Sequence, residues 1–329
     1  MTIRILLRRA MPICLAAFAF VGAAAEQIKV ATPAKGLFEL PIVIAMRNRY
    51  FTSEDLEIQK IQIQPDIAVR ALISGEVHFN LDWEASVQAA ASGVPIKVVT
   101  ALVSRPMHVL VARPEIRSGR DLKGRTLGVD SFSSTTDYLS RVVARYLGVE
   151  PEKQISIVEI GNSADRLMAL KAGDIHATAI DLAIAVKAQE EGFKPLLHIG
   201  DIIDIPMFGL SVTTANLSMH RERIKKFMRA TLRGVRFINR NRSETVRIIQ
   251  SYLKITPSQA GKSYDAAIRS FTENGLISDR SLSISVRRVR PELQFANDSL
   301  LTQVADWSVL REIMAERRKI PFWLKQYDP

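Results

Sequence analysis

The feature that most constrains this chain is an internal echo. Ala71-Leu72-Ile73-Ser74-Gly75-Glu76-Val77-His78 returns as Ala169-Leu170-Lys171-Ala172-Gly173-Asp174-Ile175-His176. After each copy come a short β-rich run, an acid (Asp82, Asp181), a helical stretch, a glycine (Gly93, Gly192) and a strand led by proline (Pro95, Pro195). Repeats of a solenoid recur about every 20–50 residues, whereas these copies stand roughly a hundred apart. A pair of related α/β lobes accounts for that spacing. Two lobes joined by short crossings leave a cleft, and in α/β sheets ligands collect beyond the carboxyl ends of strands, where helix N-termini point.

The remainder of the 329 residues agrees with this reading, since a chain of that length usually divides its core. Runs at Gln27–Ala31, Leu56–Ile63, Val77–Asn80, Ile96–Thr100 and Val109–Ala112 read as strands. So do Thr126–Asp130, Ile155–Ile160, Ile175–Ile180, Pro195–Ile199 and Phe208–Thr213. Helical patterns alternate with them, which argues a sheet with parallel neighbours. From Ser218 the strands stop. Arg221–Asn239 is one long amphipathic pattern with Ile224, Phe227, Met228, Thr231, Val235 and Ile238 on one face. Its Arg223, Lys226, Arg229, Arg233 and Arg236 read as a solvated face. Ser243–Tyr252, Pro257–Phe271 and Asp306–Glu316 continue a helical tail.

Residues 1–25 read as a secretory signal: Arg4, Arg8 and Arg9, then an apolar stretch from Ala10 to Val21, then Ala23-Ala24-Ala25. The apolar run falls short of the about 20 residues that a membrane-spanning helix needs. Arg8-Arg9 raises twin-arginine export, but the Ala-Met-Pro-Ile after it fits that signal poorly. Cys14, the only cysteine, lies inside the segment behind Pro12 and Ile13, a poor context for a lipid anchor. A mature chain starting at Glu26 therefore has no thiol for a disulfide, a nucleophile or a thiolate metal site. Losing three arginines and no acid lowers the formal charge from +11 to +8. After export, that basic surface reads as a solubilising one rather than a nucleic-acid site.

Asp121-Leu122-Lys123-Gly124-Arg125-Thr126-Leu127-Gly128-Val129 and the two "AL-x-x-G-acid-hydrophobic" echoes resemble segments of the substrate-binding proteins of nitrate, sulfonate, taurine and thiamine-precursor ABC transporters. The resemblance runs over most of residues 27–250. It departs at His78 and His176, where that family usually has Asp, and at Asn48-Arg49-Tyr50-Phe51 and Glu54-Asp55-Leu56, where it usually has Gly. Arg287-Arg288-Val289-Arg290 and Pro321-Phe322-Trp323 find no match. The resemblance implies a two-lobed type II periplasmic binding fold with a helical C-terminal tail. One lobe would comprise 27–108 plus 210–329 and the other 109–209. It also implies a monomer in the periplasm that closes on a small-molecule ligand and docks on ABC permease subunits.

Candidate ligand groups are set by the strand ends. Ser131, Ser133, Ser134 and Thr135 open a helix after the strand Thr126–Asp130, and hydroxyls with free N–H groups there suit an anion. A capping box, Ser134 with Asp137, is the ordinary alternative. Lys35, Phe38 and Glu39 come after the first strand and would face the cleft in the family geometry. Asp82 and Asp181 start helices and most often would simply cap them. Trp83 between Asp82 and Glu84 suggests an aromatic wall for an amine or a nitrogen heterocycle. Ser104 and Phe208 lie at the crossings.

Anion-binding groups on one wall and acids on the other point to a sulfonate- or taurine-like anion or zwitterion, with a pyrimidine or aromatic solute as the alternative. His78 and His176 hold equivalent places but read as local hydrogen-bonders, so neither a metal nor a cofactor is expected. No nucleophile elbow, zinc-protease helix, dinucleotide glycine pattern or phosphate loop is present, and Ser251-Tyr252-Leu253-Lys254 lacks the partner motifs of a Ser-x-x-Lys enzyme. The pyrimidine synthases of thiamine biosynthesis, more distantly similar, rely on a cysteine-rich segment that this chain lacks. The expectation is a binding protein and not an enzyme, with a sensory protein presenting its closed form to a receptor as the rival.

Overall fold

A computed structural model describes residues 25–132, 134–293 and 296–319, so most of the signal-like segment and Pro321-Phe322-Trp323 lie outside the described residues. Among the described residues ten strands divide into two five-stranded sheets. The first takes β1 (Glu26–Thr32), β2 (Leu56–Gln62), β3 (Phe79–Asp82), β4 (Ile96–Val103) and, much later in the chain, β10 (Phe208–Thr213). The second takes β5 (His108–Ala112), β6 (Arg125–Val129), β7 (Ile155–Glu159), β8 (Ala177–Asp181) and β9 (Lys194–His198). Their orders are β2-β1-β3-β10-β4 and β7-β6-β8-β5-β9. In both, a parallel trio is followed by one antiparallel strand that arrives from the other lobe, β10 in the first and β5 in the second. One plan is therefore used twice, in the two-lobed type II arrangement.

Each β-rich run of the sequence is a strand. Val77–Asn80 and Ile175–Ile180 begin two residues later than their composition suggests, for one reason. Gly75 and Gly173 end their helices with φ of +80° and +92°, a left-handed conformation that favours glycine. The next residues are spent in the turn: Val77 N donates to the Ala71 carbonyl (3.2 Å) and Asp174 N to that of Ala169 (3.0 Å). Pairing resumes at the histidines. His78 N donates to the Lys29 carbonyl (2.9 Å), and the ring Nδ1 accepts from Lys29 N (3.0 Å). His176 repeats both contacts on Thr126, at 2.8 and 3.3 Å. Each imidazole thus clips the neighbouring strand, and burial lowers the pKa of both below the ordinary 6.5.

Helices between the strands are α1 (Leu40–Arg47), α2 (Pro65–Ser74), α3 (Trp83–Ala91), α4 (Thr135–Tyr146), α5 (Pro151–Gln154), α6 (Ser163–Ala172) and α7 (Leu182–Glu190). After β10 come α8 (Thr214–Met219), α9 (Arg221–Arg240), α10 (Arg242–Leu253), α11 (Pro257–Ala267), α12 (Asp279–Val289), α13 (Asp298–Val304) and α14 (Ser308–Lys319). The helix expected over Pro257–Phe271 ends at Ala267 and gives way to a tight turn. The inner face of α9 is buried as its periodicity predicts, and Phe227 stacks on Phe79 with ring centroids 4.0 Å apart. Burying a side chain of that size contributes about 1.5–3 kcal/mol. Its outer face differs from the plain solvated surface expected. Arg223 pairs with Glu26, Lys226 with Asp55, Arg229 with Glu54 and Glu316, and Lys225 with Glu312 and Glu316 of α14. The basic run meets acids that are distant in sequence, which no local pattern reveals.

Candidate functional site

Residues 104–107 and 199–207 cross between the sheets. A cleft of about 810 Å³ opens beside the crossings, walled by both lobes. The N-terminal ends of α2, α3, α4 and α6 open into it, and Asp181 places the start of α7 there too. Strand carboxyl ends and helix starts meet at this level because every strand–helix unit of both lobes runs in the same sense, so the partial positive ends of the helices converge.

Of the residues singled out in the sequence, Phe38, Asp82, Glu84, Ser134, Thr135, Asp181 and Phe208 line the cleft. Phe38 and Phe208 stack face to face, with centroids 3.7 Å apart and planes 7° from parallel. Trp83 does not supply the aromatic wall. It is 2% exposed, and its indole N–H donates to Ser285 Oγ at 3.2 Å, so it packs α3 against α12. Gly209 lies on its ring, where a Cβ would come within 2.8 Å of Cε3. Glu39 is likewise turned inward, 1% exposed, accepting from Lys60 Nζ (2.8 Å) and from the Tyr252 hydroxyl. Burial, and then that hydrogen bond, push the Tyr252 pKa up. Lys35 stays exposed with its Nζ 4.8 Å above the Tyr252 ring. Ser104 donates to the Ser270 carbonyl (3.3 Å) outside the cleft lining, Ser131 is exposed, and Ser133 lies outside the described residues.

The start of α4 is the expected anion site, yet its hydroxyls are already engaged. Ser134 Oγ caps the helix by accepting from Asp137 N (3.2 Å). Thr136 Oγ1 donates to Asp130 Oδ1 (2.6 Å), and Thr135 Oγ1 donates to Glu84 from the opposite lobe. Burial opposes ionisation of Asp130, but hydrogen bonds from Ser134, Thr136 and Ser131 N, with Arg166 nearby, hold its carboxyl below the usual range. The chain's own carboxylates thus occupy much of what an incoming anion would use.

The same lining holds a cluster that no motif of the sequence had brought together. Arg166 is 1% exposed; its Nη2 donates to Ser163 Oγ (3.0 Å) and to the Ala179 carbonyl (3.1 Å), and its Nη1 to the Gly161 carbonyl. Ser163 Oγ donates to Asp181 Oδ2 (2.6 Å), and His108 Nε2 lies 3.6 Å from Asp181 Oδ1. Burial lowers the pKa of both His108 and Arg166, opposed by the neighbouring aspartates. The sequence does hold one signal for this cluster. Arg166 falls where the first echo has Ala68, an inward position of α2, and a charge on the inner face of a helix is seldom idle. Asp82, on the facing wall, caps α3 through Ala85 N (2.7 Å), and burial pushes its pKa up to about 6.

Among the described residues no helix is long and apolar enough to cross a membrane, and no group of three or more His, Cys, Asp or Glu is placed to hold a metal ion.

Comparison with known proteins places this architecture. Riboflavin-binding protein RibY of Chloroflexus aurantiacus is 25% identical over 202 residues, 59% of this chain and 57% of RibY, so the chain spans just over half the length of that relative. The periplasmic sulfonate-binding protein SsuA of Methylobacillus flagellatus KT superposes with a TM-score of 0.73 at 13% identity, covering 91% of this chain and 97% of SsuA. The desulfurization enzyme DszB superposes with a TM-score of 0.63 at 14% identity, covering 89% of this chain and all of DszB. At such identities the two structures share the fold alone. A sequence model of the family described as NMT1/THI5 like matches residues 39–245, more than half of the chain and including both echoes and most of both cleft walls, and this chain belongs to that family.

Proposed function

We propose that this chain is an extracytoplasmic solute-binding protein that captures one small organic solute between its lobes and delivers it to an ABC permease. The observation that carries the reading is the 810 Å³ cleft, walled by both lobes and met by helix starts from each. A solute touching both walls favours the closed arrangement, because a population shift requires differential affinity for the two states. In this reading residues 1–25 direct export to the periplasm, the lobes 27–108 plus 210–329 and 109–209 close as units, and the protein acts as a monomer without catalysis.

Two solute classes have support. SsuA binds sulfonate and shares this fold, which suits a small anion or zwitterion. The cleft itself favours the other class. Asp82, Glu84, Asp130 and Asp181 line it, the hydroxyls at the start of α4 already serve Asp130 and Glu84, and Phe38 and Phe208 supply aromatic surface. An anion would meet those carboxylates, offset only by Arg70, Arg166 and Arg288 of the same lining, each of which already faces a carboxylate of this chain (Asp66, Asp130 and Asp181, and Glu84). A nitrogen heterocycle or amine bearing N–H donors would instead meet acceptors and a ring to stack on. RibY, named as riboflavin-binding, belongs with that class.

Titration calorimetry of the mature protein with taurine, an alkanesulfonate, an aminopyrimidine, thiamine and riboflavin tests both levels. Micromolar or tighter binding, about 8 kcal/mol or more, of a heterocycle with no heat from the sulfonates is the expected result. Sulfonate binding alone would reverse the choice of class. Chemical conversion of the bound solute, or saturation by none of the panel alongside docking on a sensor in place of a permease, would defeat the transport reading.

A further inference from the structure

The basic run Arg287-Arg288-Val289-Arg290, which no family resemblance covers, ends α12 beside the mouth of the cleft. Its members do different things. Arg287 is exposed, and Arg290 donates to the Ala91 carbonyl at 2.9 Å. Arg288 turns toward the cleft. Its side chain is 10% exposed and forms an ion pair with Glu84 of the same lobe. The same Nη2 donates to Thr135 Oγ1 of the other lobe at 3.0 Å, and the guanidinium carbon lies 4.6 Å from the centroid of the Tyr138 ring, also on the other lobe. Thr135 in turn donates to Glu84. Four side chains from two lobes thus meet in one contact, and its lobe 1 half is held by α12, pinned to α3 through Trp83 and Ser285.

We propose that Arg288 is a positioning residue that latches the lobes together across the cleft mouth, so that the solute-free protein already populates the closed arrangement. A planar guanidinium suits the task, because it presents donors to a carboxylate and a hydroxyl while laying its face on an aromatic ring, which an ammonium cannot do at once. The latch deepens the proposed solute capture and rests on it only for its effect on affinity. A pre-closed fraction raises apparent affinity by removing part of the conformational cost of binding, and slows release because escape requires the latch to open. Its loss shifts the open-to-closed ratio roughly tenfold, the scale of one hydrogen bond to a charged group.

The mature chain has no cysteine, so paired labels are straightforward. Ile67→Cys on α2 and Met168→Cys on α6 sit at exposed positions of the two lobes, 44% and 67% exposed. Pulsed electron resonance on the solute-free, doubly spin-labelled protein is expected to show a short-distance population that Arg288→Ala depletes and Arg288→Lys keeps in part. Thr135→Val removes only the lobe 2 hydroxyl, leaves the Arg288–Glu84 pair intact, and is expected to deplete the same population. It also decides the matter if Arg288→Ala fails to fold. Identical distance distributions in all variants, or the absence of a short distance in the unaltered protein, would overturn the latch. Because no solute is present, that result leaves the transport reading standing. Conversely, a latch that behaves as described in a protein that binds no small solute strikes at the transport reading alone.

Discussion

In lobe 1 the acid that ends the echo, Asp82, caps α3 and is buried enough for its pKa to rise to about 6. In lobe 2 its counterpart Asp181 makes no cap, accepts from Ser163, and faces His108. The two strands differ by one residue between histidine and acid: His78 to Asp82 spans four steps and His176 to Asp181 five. The difference is absorbed on the crossing strand: β10 bulges between Phe208 and Ser211, so that Asp82 pairs with Phe208 as Asp181 pairs with His108 in an unbroken register. The neighbours differ as well. Beside β3 the buried polar groups are Asn80, Ser86 and Ser211, which bond to one another, with the two serine hydroxyls 2.7 Å apart. On lobe 2 a buried arginine stands where lobe 1 has Ala68. A repeated sequence pattern therefore specifies a repeated topology, while the polarity of each wall depends on what other segments bring to it.

Arg166→Ala makes lobe 2 resemble lobe 1 at this position and tests that lesson most severely. It orphans the Gly161 and Ala179 carbonyls and leaves Asp130 and Asp181 without their shared cation. A loss of about 3 kcal/mol in urea unfolding is expected. A change near zero would mean the lobe 2 wall tolerates the lobe 1 chemistry after all.

Asp82→Asn comes next. A carboxyl whose folded pKa is raised from 3.8 to about 6 holds a proton that the unfolded chain releases, so stability from this group falls as pH climbs through about 4 to 6. The isosteric amide should flatten that decline in thermal midpoints measured across the window.

Gly75→Ala and Gly173→Ala probe what the lobes share. Both positions need positive φ, so each should cost about 1 kcal/mol. The Gly173 variant must also displace the end of Arg113, 2.5 Å from the new Cβ, whereas Gly75 has open space around it. Equal or greater loss at residue 173 is the expected order, read by the same unfolding assay.

The smallest effect concerns the histidine clips. Their folded pKa values lie below 6.5, so the unfolded chain binds protons first as pH falls, and the stability they supply is full above about 6.5 and lost beneath it. His78→Asn and His176→Asn keep an acceptor without the titration. They should match the parent at pH 7.5 and outlast it at pH 5.5 in thermal denaturation.

Much of the fold was legible because it depends on local pattern. Alternating apolar runs located all ten strands, and the echo predicted two lobes of one design. The site was legible only in part. Phe38, Asp82, Glu84, Ser134, Thr135, Asp181 and Phe208 were found from their places after strands or at the crossings, since such places face the cleft. Trp83 and Glu39 occupy equally promising places and turn inward, because Ser285 on α12 and Lys60 on β2 offer partners 202 and 21 residues away. Arg288 carries no such mark, because its partners Glu84, Thr135 and Tyr138 stand 150 or more residues away, and Arg166 shows only as a charge where the first echo has Ala68.

By itself, the order of apolar, glycine and acidic residues determined the strands, their pairing into two like lobes and the level at which a cleft opens, because backbone geometry and burial are set by patterns a few residues long. Tertiary structure alone decided that Glu39 and Trp83 turn away from that cleft, which hydroxyls there are already engaged, and that Arg288 spans its mouth. Those outcomes depend on side chains meeting across long stretches of chain, where one long-range partner decides the direction in which a group points.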